Sequence, residues 1–206
     1  MANYGMEAHE RDGLGGNIGL QANKRGDLYT VKGLPDFAYL VNSGVCWQAK
    51  SATTAAVVAL PTTASILDIQ NSAAAGSGIS LVILAVGAIQ VAGPASMVCY
   101  QLIYCPQILK QAALVADVTP VNLKPLSGTY AGAAIVDNAG TVVDNGWFPI
   151  CTSANNPLAS TPGAGIWTPV HGMLVIPPGG SCGFHCMAST TAVTIQLAVQ
   201  WAEIVL

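Results

Sequence analysis

Charge is what this sequence has least of. Only 8% of its 206 residues are Asp, Glu, Lys or Arg, against roughly 25% in an ordinary soluble protein. There is no basic block. Lys24-Arg25 is the sole adjacent basic pair, Asp27 follows it, and the net charge is −3. Phosphate backbones are gripped by clustered Lys and Arg, so nucleic acid is not expected as a partner. A long apolar run is missing as well. The best candidate, "GISLVILAVGAIQVAG" (78–93), is interrupted by Gln90 and falls short of the ~20 residues that cross a bilayer, so no membrane partner is expected. The opening "MANYGMEAHERDG" lacks the basic start and apolar stretch of a secretory leader, which points to folding in a cytoplasm.

The motifs of catalysis are missing too. The chain has no Cys-x-x-Cys, Gly-x-Ser-x-Gly, phosphate loop or His-Glu-x-x-His, the spacings that carry redox, acyl-transfer, phosphate and zinc chemistry. "GLGGNIG" (13–19) is glycine-rich but follows no strand pattern and opens no apolar helix. The acidic residues of the body stand singly in sequence, and the three histidines, His9, His171 and His185, are scattered. The expectation is a protein that is not an enzyme and holds no cofactor and no metal.

The strongest test of that expectation is "VIPPGGSCGFHCMAS" (175–189), with Cys182, His185 and Cys186 within five residues. Pro-Pro-Gly-Gly before it and Ser-Thr-Thr after it favour a strand over a helix. On a strand Cys182, Phe184 and Cys186 share one face, and His185 points to the other with Gly183 and Met187. At ~3.3 Å per residue the two cysteines stand roughly 13 Å apart, too far for a disulfide or a shared zinc ion. They read as small core residues. In a cytoplasm all six cysteines are expected as thiols.

What is present is apolar and unevenly arranged. Hydrophobic residues make up 52% of the chain. Residues 1–50 carry ten of the charges and residues 51–206 only seven: Asp68, Lys110, Asp117, Lys124, Asp137, Asp144 and Glu203. A body with so little charge lacks the surface that keeps free monomers soluble, which implies that other subunits or a partner cover much of it. Residues 1–36 are polar and Gly-rich, and read as an extended arm that orders along a neighbour, or else as a disordered tail. Residues 37–206 form the body.

The body reads as strand, turn, strand. Strands are expected in "FAYLVNSGVCWQA" (37–49), broken at Asn-Ser-Gly; in "SILDIQNS" (65–72); in 78–92, buried on both faces and bent at Gly87; and in "SMVCYQLIYC" (96–105). "GAAIVDNAGTVVDNG" (132–146) has the composition of a hairpin turning at Asp137-Asn138-Ala139-Gly140. "NNPLASTPGAGIWTPV" (155–170) reads as a long loop, His171 stands just before a strand, and two more strands end the chain. Only "PQILKQAALVAD" (106–117) has helical spacing, with Pro106 in a first-turn position. Many short strands and at most one short helix predict an all-β, antiparallel jelly-roll or β-sandwich.

The last stretch, "MLVIPPGGSCGFHCMASTTAVTIQLAVQWAEI", resembles the terminal hairpin of jelly-roll proteins of virus particles, tumour-necrosis-factor-like ones included. There a hydrophobic-Pro-Pro-Gly-Gly turn leads into an alternating strand, and a last strand carries Thr, Trp and Glu at the spacing of Thr194, Trp201 and Glu203. An arm before an Ala/Thr/Gly-rich β-body is similar to small structural proteins of tailed phages. The resemblance implies a virion subunit on the capsid surface. Such a protein would be a decoration (cement) protein, a homotrimer whose partners are copies of itself and the major capsid protein. The arm residues Tyr4, His9, Arg11, Arg25 and Tyr29, and Trp167 in the Pro/Gly loop, are the expected partner contacts. The alternative is a receptor- or carbohydrate-binding tail or spike module that uses Trp147 or Trp167 near Asn155 and Asn156.

Overall fold

The computed structural model describes residues 37–93, 98–107, 115–125, 128–143, 146–150, 154–156 and 165–206. Among these residues one helix, α1 (Ala38–Asn42), precedes twelve strands: β1 (Cys46–Lys50), β2 (Thr54–Ala55), β3 (Leu67–Asn71), β4 (Ile79–Ala92), β5 (Val98–Gln107), β6 (Val121–Asn122), β7 (Ala134–Asn138), β8 (Phe148–Pro149), β9 (Ala154–Asn156), β10 (Gly165–Ile176), β11 (Ser181–Ala188) and β12 (Thr194–Val205). They form two antiparallel sheets. Sheet one runs β10-β4-β12-β1-β6, with β2 beyond β1 on β12; sheet two runs β7-β3-β11-β5-β8, with β9 also on β5. The long strands alternate between sheets, and β12 lies between β4 and β1 while β11 lies between β3 and β5. That order is the jelly roll. The segment between β5 and β8 adds β6 to the edge of sheet one and β7 to the edge of sheet two. Among the described residues no helix is long and apolar enough to cross a membrane.

Period-two alternation builds the core. Ile195, Leu197, Val199 and Trp201 of β12 face Leu67 and Ile69 of β3, Tyr100 and Leu102 of β5, and Cys182, Phe184 and Cys186 of β11 across one apolar interior. Burying each large side chain contributes about 1.5–3 kcal/mol. The Pro-Pro-Gly-Gly turn joins the sheets. Gly179 takes φ 80° and the Gly180 N–H donates to the Pro177 carbonyl at 2.9 Å, the geometry of a turn with proline first and glycine at the left-handed position. Asn71 pins both sheets at this end. Its Nδ2 donates to the carbonyls of Ile79 and Ile176 at 2.8 and 2.9 Å.

Four expectations change. Ala38–Asn42 is helix rather than strand. Asn-Ser-Gly is its C-cap: Gly44 sits at φ 80°, its N–H reaches the Val41 carbonyl, and the Val45 N–H reaches that of Leu40, the paired bonds of a Schellman motif. The proposed helix at 106–117 is not seen where it can be judged. Pro106 and Gln107 belong to β5, residues 108–114 lie outside the described residues, and 115–117 carry no helix. The Asp137–Gly140 hairpin is absent from its place as well. Ala139 adopts φ 62° and the chain runs on beside the strand that leads into β3, with Thr141 opposite Ala64 and the Val142 N–H on the Thr63 carbonyl. Finally, Gly165–Val170 and His171 lie within β10, and Ala154–Asn156 form β9, so the loop expected over 155–170 is strand at both described ends.

Candidate interaction surface

Of the residues expected to contact partners, Tyr4, His9, Arg11, Arg25 and Tyr29 lie outside the described residues. Trp167 does not sit in a loop. It stands on β10, the edge strand of sheet one, opposite Gly87 of β4, with 52% of its surface exposed.

The register of sheet one defines this surface. Val86, Ala88, Leu197, Val199 and Ala49 point into the core, so their neighbours point outward. Across the strands the outward rows are Trp167, Gly87, Ala198 and Lys50; Pro169, Ala85, Gln200 and Gln48; and Gly165, Ile89 and Gln196. Val175 and Val82 form the row beyond. The face is therefore apolar and amide-bearing, and Lys50 is its one charge among these residues. The amides are tied to the sheet: Gln200 Nε2 donates to Gln48 Oε1 at 3.2 Å and Gln196 Nε2 to the Ser51 carbonyl at 3.0 Å. Cys46, opposite Ala202 in β12, is sealed, and burial pushes its thiol up to about 11.

Gly87 is the seat of the tryptophan rather than a bend. A Cβ there would overlap the Trp167 ring and lie 2.9 Å from the Ile166 carbonyl oxygen. Because that oxygen belongs to the backbone, a side chain at 87 cannot be absorbed by a rotamer change alone. Gly87→Val is expected to lose about 1–3 kcal/mol and to shift Trp fluorescence. A urea melt and emission spectrum identical to the parent's would refute this placement. β4 carries bulges on either side of Gly87, beside Leu84 and Val91, where its register with β12 slips. Ile89 and Val91 are exposed, so the strand is buried on both faces only up to Ala88.

The β10 edge is protected against strand addition. Between Pro169 and Leu174 its register with β4 jumps. His171 at φ 52° and Gly172 at φ 76° loop the chain outward, leaving Met173 86% exposed. A bulge and a proline on an edge block pairing with another chain. Any partner here must meet side chains of the face and the bulge, not the backbone ladder.

The cysteine cluster divides as a strand requires. Cys182 and Cys186 are core residues. His185 is buried on the opposite face, edge-on to Trp147 at 6.1 Å between ring centroids, and burial holds its imidazole below the ordinary range. Trp147 is thereby engaged in packing. Asn155 and Asn156 lie on β9, which pairs with β5. A groove of about 510 Å³ at the rim of the face is lined by Gln48, Lys50, Asp117, Thr119 and Asn138. Asp117 is committed there to the Asn138 backbone N–H at 2.8 Å and to its amide.

The sequence missed Ile89, Val175 and Met173 as members of the surface. Each was readable as a strand residue, but only the register places Ile89 one row from Trp167, and Met173 and Val175 on the far side of the Pro169 row. No protein-family model matches this chain, and no curated protein matches it in sequence.

Proposed function

We propose that this chain is a structural subunit of a virion, a capsid decoration protein that assembles with copies of itself as a trimer and binds the capsid lattice. The observation that carries the reading is the outer face of sheet one: Trp167, Ile89, Val175 and the projecting Met173 beside a single lysine. Exposed apolar side chains along one face of a charge-poor body suit a contact with another macromolecule, and interface cores are depleted of charge and enriched in Trp and Met. The jelly-roll order and the Thr194, Trp201, Glu203 pattern of β12 support the particle setting as a resemblance. The function is mechanical. Each subunit buries this face against a neighbour, and repeated contacts over a lattice add through effective concentration.

The test is the solution mass by light scattering, for the full chain and for Trp167→Glu. The full chain should run at three times its 21.0 kDa, and the variant, which places a charge in the interface core, should run as a folded monomer. A folded, monodisperse parent monomer would overturn the reading. A trimer untouched by Trp167→Glu would move the interface elsewhere. Trp167 exposed near Gln196 and Gln200 also suits stacking on a sugar. A glycan-dependent shift in Trp emission that disappears in Trp167→Ala, with mass unchanged, would favour the receptor-binding alternative.

A further inference from the structure

On its outer face sheet two carries a buried pair of carboxylates that no sequence spacing revealed. Asp68 of β3 and Asp137 of β7 are direct cross-strand partners, one wholly buried and the other nearly so. Asp137 is engaged, since its Oδ2 accepts the Val115 N–H at 2.8 Å. Both oxygens of Asp68 are buried without a hydrogen-bond partner, as are the amide atoms of Gln70 and the Oγ of Ser181 in the adjacent row. Above Asp68 lies the continuation of β7. A Cβ on Gly183, the β11 residue opposite Asp68, would overlap Val142 and come within 3.4 Å of Asp68 Oδ2.

The groups around Asp68 set its charge state. β7 presents Asp137, β11 presents Gly183 with His185 one row on, and β5 beyond it presents Cys105 and Gln107. The described part of the covering stretch, residues 139–143, contributes Val142 and, with Ser65 below it, no charge. Among the described residues the lysines are Lys50, on the other sheet, and Lys124, whose Nζ donates to the Asn42 carbonyl. No described cation therefore neutralises the pair. Two buried carboxylates side by side cannot both ionise cheaply.

We propose that Asp68, beside Asp137, forms a proton-held latch: a proton held on Asp68 keeps β7 and its continuation to Val143 closed over sheet two, and loss of that proton loosens this edge. Burial first, and Asp137 second, push the Asp68 carboxyl up to about 7, which puts the transition near neutrality. Opening hydrates Asp68 and restores an ordinary carboxylate, so opening becomes more favourable as pH rises through that value. The inference is independent of what the protein assembles with.

Hydrogen exchange on the full chain, corrected for intrinsic rates, tests it. The amides to follow are those of β7, Ala139, which donates to Ile66, and Val142, which donates to Thr63. Their protection should fall about tenfold between pH 6 and pH 8, while that of the β4–β12 ladder should stay flat. In Asp68→Asn the pH dependence should vanish. Asp137→Asn, which removes the second charge and keeps Asp68, should retain the dependence with its midpoint moved to lower pH. Equal pH response in the parent and Asp68→Asn would overturn the latch. So would restoration of the parent's protection at pH 8 by millimolar calcium, which would make the pair a cation site instead.

Discussion

Glu203→Ala is expected to remove about 2–5 kcal/mol of stability, a large part of the roughly 5–15 kcal/mol that holds a domain folded. The reason lies in the donors that converge on this one carboxylate. Oε1 accepts the Tyr130 hydroxyl and the Trp201 indole N–H, the latter at 3.2 Å, and Oε2 accepts the Ala133 N–H at 2.8 Å. Tyr130 passes the connection on by accepting the Ala134 N–H at the start of β7, and its ring packs edge-on against Trp47 at 4.7 Å. Burial, followed by Glu203 itself, drives the Tyr130 hydroxyl well above the usual phenol range, which keeps it a donor at neutral pH. Removing the acceptor strands three donors, of which the Trp201 indole is buried and the Tyr130 hydroxyl and Ala133 N–H are half-buried, and an unpaired buried group costs about 1–3 kcal/mol. Glu203→Gln is the control. Its amide oxygen can still serve Tyr130 and Trp201, but its NH₂ group faces the Ala133 donor, so the loss should be near a third of that of alanine. Urea denaturation at pH 7 decides. An alanine variant within 0.5 kcal/mol of the parent, by the usual span of neutral surface changes, would show that this network is decorative.

That network also shows what was legible in the sequence. Trp201 and Glu203 stood out as a pattern, and the alternation of β5, β11 and β12 was readable because each has one face in the core and keeps a strict period of two. The role of Glu203 was not readable, because its donors come from β12, from the residue before β7 and from Tyr130. β10 was hidden for a different reason. An edge strand tolerates Pro169, and the bulge at Val170–Met173 breaks the alternation that would have announced it. α1 is too short for a helical period to register, and its Asn-Ser-Gly cap is the same composition that ends strands. The turn residues Asp137–Gly140 misled because composition reports that a left-handed residue is present, here Ala139, but not whether the chain then folds back. The pairing of Asp68 with Asp137 depends on β7 crossing to the edge of sheet two. It is a property of topology, which single-residue patterns do not encode.

Burial of Asp68, and second its place beside Asp137, makes the protein's stability depend on pH in an unusual direction. The Asp68 carboxyl stands at about 7 in the fold, against 3.8 ordinarily. Between those values the fold binds a proton that the unfolded chain has released. Stability from this group is complete below about pH 4, declines as pH rises, and is gone above about 7, for a total of roughly 4 kcal/mol. His185 acts in the opposite sense. Burial keeps its imidazole below 6.5, so the unfolded chain takes up a proton that the fold refuses, and stability falls as pH drops through that range. The two slopes oppose each other just below pH 6.5, where the parent's own profile is flattened. The difference between Asp68→Asn and the parent removes His185 from the comparison. Asparagine keeps the shape and cannot ionise, so the variant should gain on the parent by roughly 3 kcal/mol between pH 5 and pH 8. Paired urea melts at those two pH values measure it. A difference that stays constant with pH would mean that Asp68 reaches water or a counter-ion in the folded protein. The carboxylate pair would then be an ordinary charged edge, with no hold on β7.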